Sequence, residues 1–289
     1  MSFASLKKRS SASLQTLVQE AEKLNKQGPA ADERIWKPEL DKSGNGYAVI
    51  RFLPAPDKED LPWAKVYSHA FQGPGGWYIE NSLTTINKKD PVGEVNRQLW
   101  NSGIDADKET ARKQKRKLSY YSNIYVVRDP AHPENEGKVF LYKFGKKIYD
   151  KITAAMQPEF EDETPINPFD LWEGANFKLK ICKVAGFWNY DKSEFDSPSA
   201  LASDDAELEA VWKKEYSLAA FTAEDQFKTY EELQTRLNLV LGLNKRPTVT
   251  QVDDEEYEPA VGDPLPEVAT LKKDDDDQLS YFARLAEEE

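Results

Sequence analysis

The richest chemistry in this chain is cationic and aromatic at close spacing. Between positions 108 and 117 stand Lys108, Arg112, Lys113, Lys115, Arg116 and Lys117 against the single acid Glu109, a net +5. Between 138 and 151 stand Lys138, Lys143, Lys146, Lys147 and Lys151 against Asp150, a net +4. Rings are threaded through both blocks: Tyr120, Tyr121, Tyr125, Tyr142, Phe144 and Tyr149, with Trp100 upstream and Phe187, Trp188 and Tyr190 downstream. Cations so spaced track phosphates, and exposed rings stack on unpaired bases for roughly 1–3 kcal/mol per base. The same residues would also serve an ordinary sheet, with lysines along a solvated edge and rings in a core. Composition does not separate the two. Strand alternation favours binding, because Tyr120 and Tyr121 must point to opposite faces.

Catalytic readings fare worse. The 289 residues hold two histidines, His69 and His132, and one cysteine, Cys182. A single cysteine excludes an intrachain disulfide and a cysteine zinc cluster, and fits a reducing, intracellular setting. Cys182 has no histidine near it in sequence and reads as a small strand residue. The acidic clusters Asp253 to Glu256 and Asp274 to Asp277 lack the rigid surroundings a catalytic metal needs. No phosphate-binding loop of the Walker type is present. No run approaches the ~20 apolar residues of a membrane span, and the N-terminus lacks the apolar stretch of a secretory signal.

The net charge of −12 is concentrated at one end. Residues 253–289 carry fourteen acids against Lys272, Lys273 and Arg284, a net −11 that leaves −1 for residues 1–252. Three segments follow. Residues 1–27 form an arm, with Lys7, Lys8 and Arg9 followed by the hydroxyls Ser10 and Ser11. A helical stripe of Leu14, Leu17, Val18, Ala21 and Leu24 comes next. Residues 28–247 form the body. Residues 248–289 form an acidic tail too poor in apolar residues to offset its ordering entropy, save for Leu279, Phe282 and Leu285 beside the aspartate run.

Within the body, short β-rich runs alternate with turns. Tyr47–Leu53, the pair Trp63–Phe71 and Trp77–Glu80 around Gly73-Pro74-Gly75-Gly76, Tyr120–Val127, Lys138–Phe144 and Phe177–Val184 read as strands. Residues 81–117 read as loop or short helix, 145–152 as a short helix, and 205–220 and 223–241 as helices. The class expected is mainly β with α, built on a small barrel.

Five segments in order carry a resemblance. They are Gly44–Pro54, Gly76–Glu80, Asp129–Phe140, Tyr142–Ile152 and Trp172–Phe177. Over about residues 36–240 the chain resembles the single-stranded DNA-binding (helix-destabilising) proteins of T-even-like bacteriophages. The resemblance implies an OB-fold core, a five-stranded barrel, with an elaborating subdomain and a cleft for single-stranded DNA. The family's DNA-facing basic run corresponds to Lys115, Arg116 and Lys117. Its stacking rings correspond to Tyr120, Tyr121, Tyr142, Phe187 and Tyr190, with Trp100 in place of a family tyrosine. Lys143 and Lys146 join them as candidates from the second basic block.

The same resemblance assigns Lys7, Lys8, Arg9, Ser10 and Ser11 to contact with a neighbouring protomer. It assigns the tail, through Leu279, Phe282 and Leu285, to phage replication and recombination proteins, in the cytoplasm of an infected bacterium. The family's zinc is held by one histidine and three cysteines. Here His69 remains while Asn81, Asp90 and Gly93 occupy the cysteine positions, so no cofactor is expected. The function implied is cooperative, non-catalytic coating of single-stranded DNA. The alternatives are a scaffold for acidic partners and an OB-fold nucleic-acid enzyme.

Overall fold

Alternation and punctuation in the sequence produce nine strands in this computed structural model, which describes residues 32–160 and 162–243. The arm from Lys7 to Leu24 and the tail with Leu279, Phe282 and Leu285 lie outside the described residues. The elements are β1 (Ile35–Trp36), β2 (Gly46–Phe52), β3 (Ala64–Gly73), β4 (Gly76–Asn81), α1 (Pro91–Asn101), α2 (Asp105–Lys113), β5 (Lys117–Arg128) and β6 (Val139–Phe144). They continue as α3 (Lys146–Met156), β7 (Phe177–Val184), β8 (Phe187–Asn189), β9 (Glu194–Phe195), α4 (Asp205–Trp212) and α5 (Tyr230–Val240). The chain divides into two units, Met1–Ile35 and Trp36–Glu289. The described part of the first is a turn in which Asp32 accepts the Arg34 guanidinium.

β5 is the spine. One edge pairs with β6 from Tyr120 to Tyr125. The other pairs first with β3, Lys117–Tyr121 against Ala64–Ser68, and then with β2, Ile124–Arg128 against Val49–Phe52. β2 passes the sheet on to β7, which carries β8 and β9. The core is therefore mostly sheet and the class is mixed α and β. The path is not a closed barrel: no pairing among the described residues returns β8 to β6. The reason is local. β7 reverses at Ala185 and Gly186, both at positive φ, into a three-residue strand that ends the edge.

Three apolar clusters hold the frame, the smallest made by Leu53, Val139, Leu171 and Leu208. Ile50, Phe52, Ile124, Phe144, Phe177 and Leu179 form the main one, closed by Ile148 and Ile152, which sit one turn apart on α3. The β3–β4 hairpin carries the second, where the Phe71 and Tyr78 rings stack at 5.1 Å and Val92, Leu233, Leu237 and Val240 close over them from α1 and α5. Gly75 permits that closure. Its N–H donates to the Val240 carbonyl at 2.8 Å, and a Cβ there would lie 1.9 Å from the Leu239 oxygen.

Residues 81–117 hold two short α-helices, the second of the two alternatives the sequence offers there. Asp90 caps α1, accepting from the Val92 and Gly93 N–H groups with Pro91 at the first helical position.

A half-buried acid links the segment after α4 to the loop after β2. Glu59 accepts from the Ser217 hydroxyl and the Leu218 and Ala219 N–H groups. Beside it, both carboxylate oxygens of Glu215 are buried without a hydrogen-bond partner. Burial, reinforced by the Glu59 charge, pushes Glu215 up to about 8. Folding thus holds a proton that the unfolded chain releases near its ordinary value of about 4.3. Stability from this group is full below that value and is lost as pH rises toward 8. Glu215→Gln is expected to abolish that decline and to exceed the parent by a few kcal/mol at pH 8. Superimposable stability–pH profiles of the two proteins would disprove it.

Candidate nucleic-acid interface

The basic run emerges where α2 feeds β5. Lys115 and Arg116 are exposed there, whereas Lys117 is half-buried. Arg116 lies over the Tyr67 ring at 4.0 Å because Leu118 pairs with Tyr67 across β5 and β3. Lys65 approaches the same ring at 5.1 Å. A hydrogen bond from the Lys65 ammonium, with the Arg116 charge beside it, holds the Tyr67 hydroxyl below its ordinary range. Next to this pair a cavity of about 470 Å³ is lined by Arg97, Trp100, Arg112, Lys115 and Arg116. Trp100 is 50% exposed, and the Arg112 guanidinium lies 5.5 Å from its ring. Tyr67, Lys65 and Arg97 were not singled out by the sequence. The signal for Lys65 and Tyr67 is the cross-strand register, which needs the pairing of β3 with β5, whereas Arg97 comes from α1.

Two expected stacking rings are not free surfaces. Tyr120 is 6% exposed, with both faces taken: Tyr149 stacks on it at 4.0 Å and Phe144 at 5.7 Å. Tyr142 is 4% exposed, between Phe144 and Trp36. Both rings belong to the main core, so their expected exposure is corrected. Even-numbered positions of β5 face that core, and ring-on-ring packing there satisfies them. Tyr121 points the other way, as alternation requires, and one of its faces is covered by Phe221 at 4.2 Å.

Lys143 pairs with Tyr121 across β6 and β5, its ammonium 5.7 Å from the ring, and so lies on the opposite sheet face from Tyr67 and Tyr120. Its side chain is exposed, yet protein crowds it on most sides, and that desolvation pulls its ammonium below the ordinary lysine range. Lys146 is exposed and shares its charge with Asp150 at 2.6 Å. Phe187 stands 48% exposed at the tip of the β7–β8 hairpin, while Tyr190 packs partly against the main core.

The residues around His69 do not fit zinc. The His69 Nδ1 lies 3.0 Å from the Gln114 carbonyl oxygen, and its Nε2 is 3.3 Å from Asp90 Oδ1 but poorly aligned for a hydrogen bond. Asp90 is already engaged: Oδ2 takes the Ser82 hydroxyl and the Leu83 N–H, and Oδ1 the Val92 and Gly93 N–H groups. Burial opposes its ionisation, but the facing His69 ring, Ser82 and the Gly93 N–H outweigh that and hold the carboxyl below its ordinary value. Glycine at 93 offers no side chain, and the described residues contain no group of three or more His, Cys, Asp and Glu able to hold a metal. Elemental analysis is expected to find well under one zinc per chain, and chelator to leave the melting temperature unchanged. One tightly held zinc would contradict this.

A sheet-centred α+β chain with a cationic, ring-lined concavity has the make-up of a nucleic-acid-binding protein. Residues 44–241 match the family described as gp32 DNA binding protein like, and the chain belongs to that family. It is 44% identical to the single-stranded DNA-binding protein of Enterobacteria phage T2 over 222 residues, 75% of this chain and 74% of that protein. It is 43% identical to the single-stranded DNA-binding protein of Enterobacteria phage T4 over 221 residues, 75% of this chain and 73% of that one. A third relative, the single-stranded DNA-binding protein of Enterobacteria phage RB70, is 38% identical over 98 residues, 34% of this chain and 84% of its own length.

Proposed function

We propose that this chain is a non-catalytic, sequence-independent single-stranded DNA-binding protein that coats and protects DNA strands during phage replication, recombination and repair. The observation that carries the reading is the juxtaposition of Arg116, Lys65 and Tyr67 beside the cavity of Trp100, Arg112 and Lys115. Guanidinium groups laid over rings bring phosphate neutralisation and base stacking within one nucleotide's reach. Tyr67, Trp100 and Phe187 serve as stacking surfaces, and Lys65, Arg97, Arg112, Lys115 and Arg116 as phosphate contacts. Tyr120 and Tyr142 pack in the main core on the same side of the sheet as Tyr67. The sheet core is an OB-type core whose barrel is left open, and 28–247 acts as the binding body.

Three further roles belong to this proposal. The arm, through Lys7, Lys8, Arg9, Ser10 and Ser11, joins successive copies along the strand. The tail of net −11 competes with DNA for the cationic surface and offers Leu279, Phe282 and Leu285 to replication proteins. The site of action is the infected bacterial cell. No helix among the described residues is long and apolar enough to cross a membrane.

The test is a fluorescence titration with poly(dT) and with duplex DNA of equal length. Quenching on the single strand at far lower protein concentration than on duplex is expected, and truncation after Val252 should tighten binding at low salt only. Equal affinity for the two DNA forms would refute the reading, while an unaltered low-salt affinity after truncation would refute the tail's part in it.

A further inference from the structure

On the far side of α3 from its start lies a groove that the DNA-binding reading does not use. It encloses about 380 Å³ and is walled by Pro54, Pro62, Trp63, Met156, Phe169 and Trp172. Large apolar side chains stand open around it. Trp172 is 56% exposed, Leu61, between the lining residues Asp60 and Pro62, is 54%, and Phe160, in the loop from Met156 to Asn167, is 66%. Exposed apolar surface gathered around a concavity marks a contact site more often than a chance distribution does.

The rim is predominantly acidic, with Lys58 its one described cation in the Pro54–Trp63 wall, against Asp57, Glu59 and Asp60. Residues 152–177 contain six acids, Glu159, Glu161, Asp162, Glu163, Asp170 and Glu173, and no lysine, arginine or histidine. Among those described, Glu159, Asp162, Glu163 and Glu173 are exposed and pair with no cation, as does Asp60 across the groove. In a body of net charge −4, this surface is the acidic counterpart of the basic one. It excludes DNA and the acidic tail alike, and it calls for a basic segment with an apolar stripe.

The chain contains one such segment beyond the described residues. Residues 1–27 carry five cations against Glu20 and Glu22, a net +3, with Leu14, Leu17, Val18, Ala21 and Leu24 on one helical face. A stripe of this length is marginal as an isolated helix and gains its stability from whatever buries it. We infer that the acid-rimmed groove between Pro54–Trp63 and Met156–Trp172 receives residues 7–24 of a second copy of this chain. The leucine stripe meets Trp172, Leu61 and Phe160, and Lys7, Lys8 and Arg9 meet the glutamates. This rests on the self-association proposed above and supplies its receptor. Each copy then presents a groove to one neighbour and an arm to the other, which makes the contact head-to-tail and open-ended, as a filament on a strand requires.

The test uses the full-length protein with poly(dT) and with an oligonucleotide too short for two copies. One variant removes apolar surface without charge, Leu61→Ser with Phe160→Ser. A second reverses the rim, Glu159→Lys, Glu163→Lys and Glu173→Lys. A third reverses the arm, Lys7→Glu, Lys8→Glu and Arg9→Glu. Each is expected to weaken poly(dT) binding about tenfold relative to the short oligonucleotide, and the chain carrying both reversals to regain the loss. A photo-crosslinker at Leu17 should yield covalent dimers on poly(dT), bridged to residues 157–173.

Full cooperativity in both groove variants with loss in the arm variant would overturn the groove and leave self-association standing. Full cooperativity in the arm variant would overturn self-association and the groove together. Bridges formed only within one copy would place the arm on its own chain and overturn the inference.

Discussion

Raising monovalent salt fourfold, from 50 to 200 mM, is expected to weaken poly(dT) binding about 100-fold. Five neutralised phosphates at about −0.7 each give a log–log slope near −3.5 on a single strand. The five cations are Arg97, Arg112, Lys115, Arg116 and Lys65, which share one concave surface around Tyr67 and Trp100. Arg116→Ala should cut the slope by about 0.7 and lower affinity at every salt concentration, since it also strips the cation from the Tyr67 face. Tyr67→Ala should lower affinity by about 1–3 kcal/mol with the slope unchanged. Tyr142→Ala acts through the core, so its effect should fall on melting temperature more than on affinity. A slope shallower than −1, or a Tyr67 variant that binds like the parent, would remove this surface from the DNA site.

The second large effect is on folding. Arg51 is fully buried near the end of β2, and its guanidinium donates to Asn176 Oδ1 at 3.0 Å and to the carbonyl oxygens of Asp170 at 3.2 Å and Ser199 at 2.8 Å. One side chain thus ties the loop before β7 and the segment before α4 to the central strand. Arg51→Met is expected to cost about 2–4 kcal/mol, because three partly buried acceptors lose a charged donor at once. Arg51→Lys should recover little of it, since an ammonium cannot reproduce the planar fork. Gly174→Ala should behave similarly: a Cβ there would lie 2.8 Å from the Arg51 Nη1 and 2.2 Å from the Asp170 oxygen. Denaturant midpoints within about 1 kcal/mol of the parent for all three would show that the clamp contributes little.

The strands were largely legible, while α1 and α2 could be read only as loop or short helix, for one physical reason. β2, the β3–β4 hairpin, β6 and β7 bury a face and end at Gly or Pro, so alternation and punctuation both mark them. α1 and α2 bury almost nothing: Pro91 and Val92 in the first, Ala111 in the second. Charged helices without an apolar stripe look like loop, and only the Asp90-Pro91 start marks α1. At the interface, the cations of α2 and β5 were readable because their chemistry is local. Which rings stay exposed was not, because Tyr120 is covered by Tyr149 from α3 and Tyr121 by Phe221 from the segment after α4. Those contacts span 29 and 100 positions, and no local pattern encodes them.

The shared strand has a dynamic consequence. β5 runs for 12 residues, about 40 Å at the usual rise, and both the hairpin cluster and the main cluster hang on its one edge. Neither can detach without breaking a ladder that the other half of the same strand holds in register. Slow amide exchange along Lys117–Arg128 would therefore report a single opening event, in which hairpin and sheet melt together. The rings and cations that ride on β3 and β5 keep their mutual spacing until that event. Between foldings, the binding surface behaves as a rigid ruler along a flexible strand.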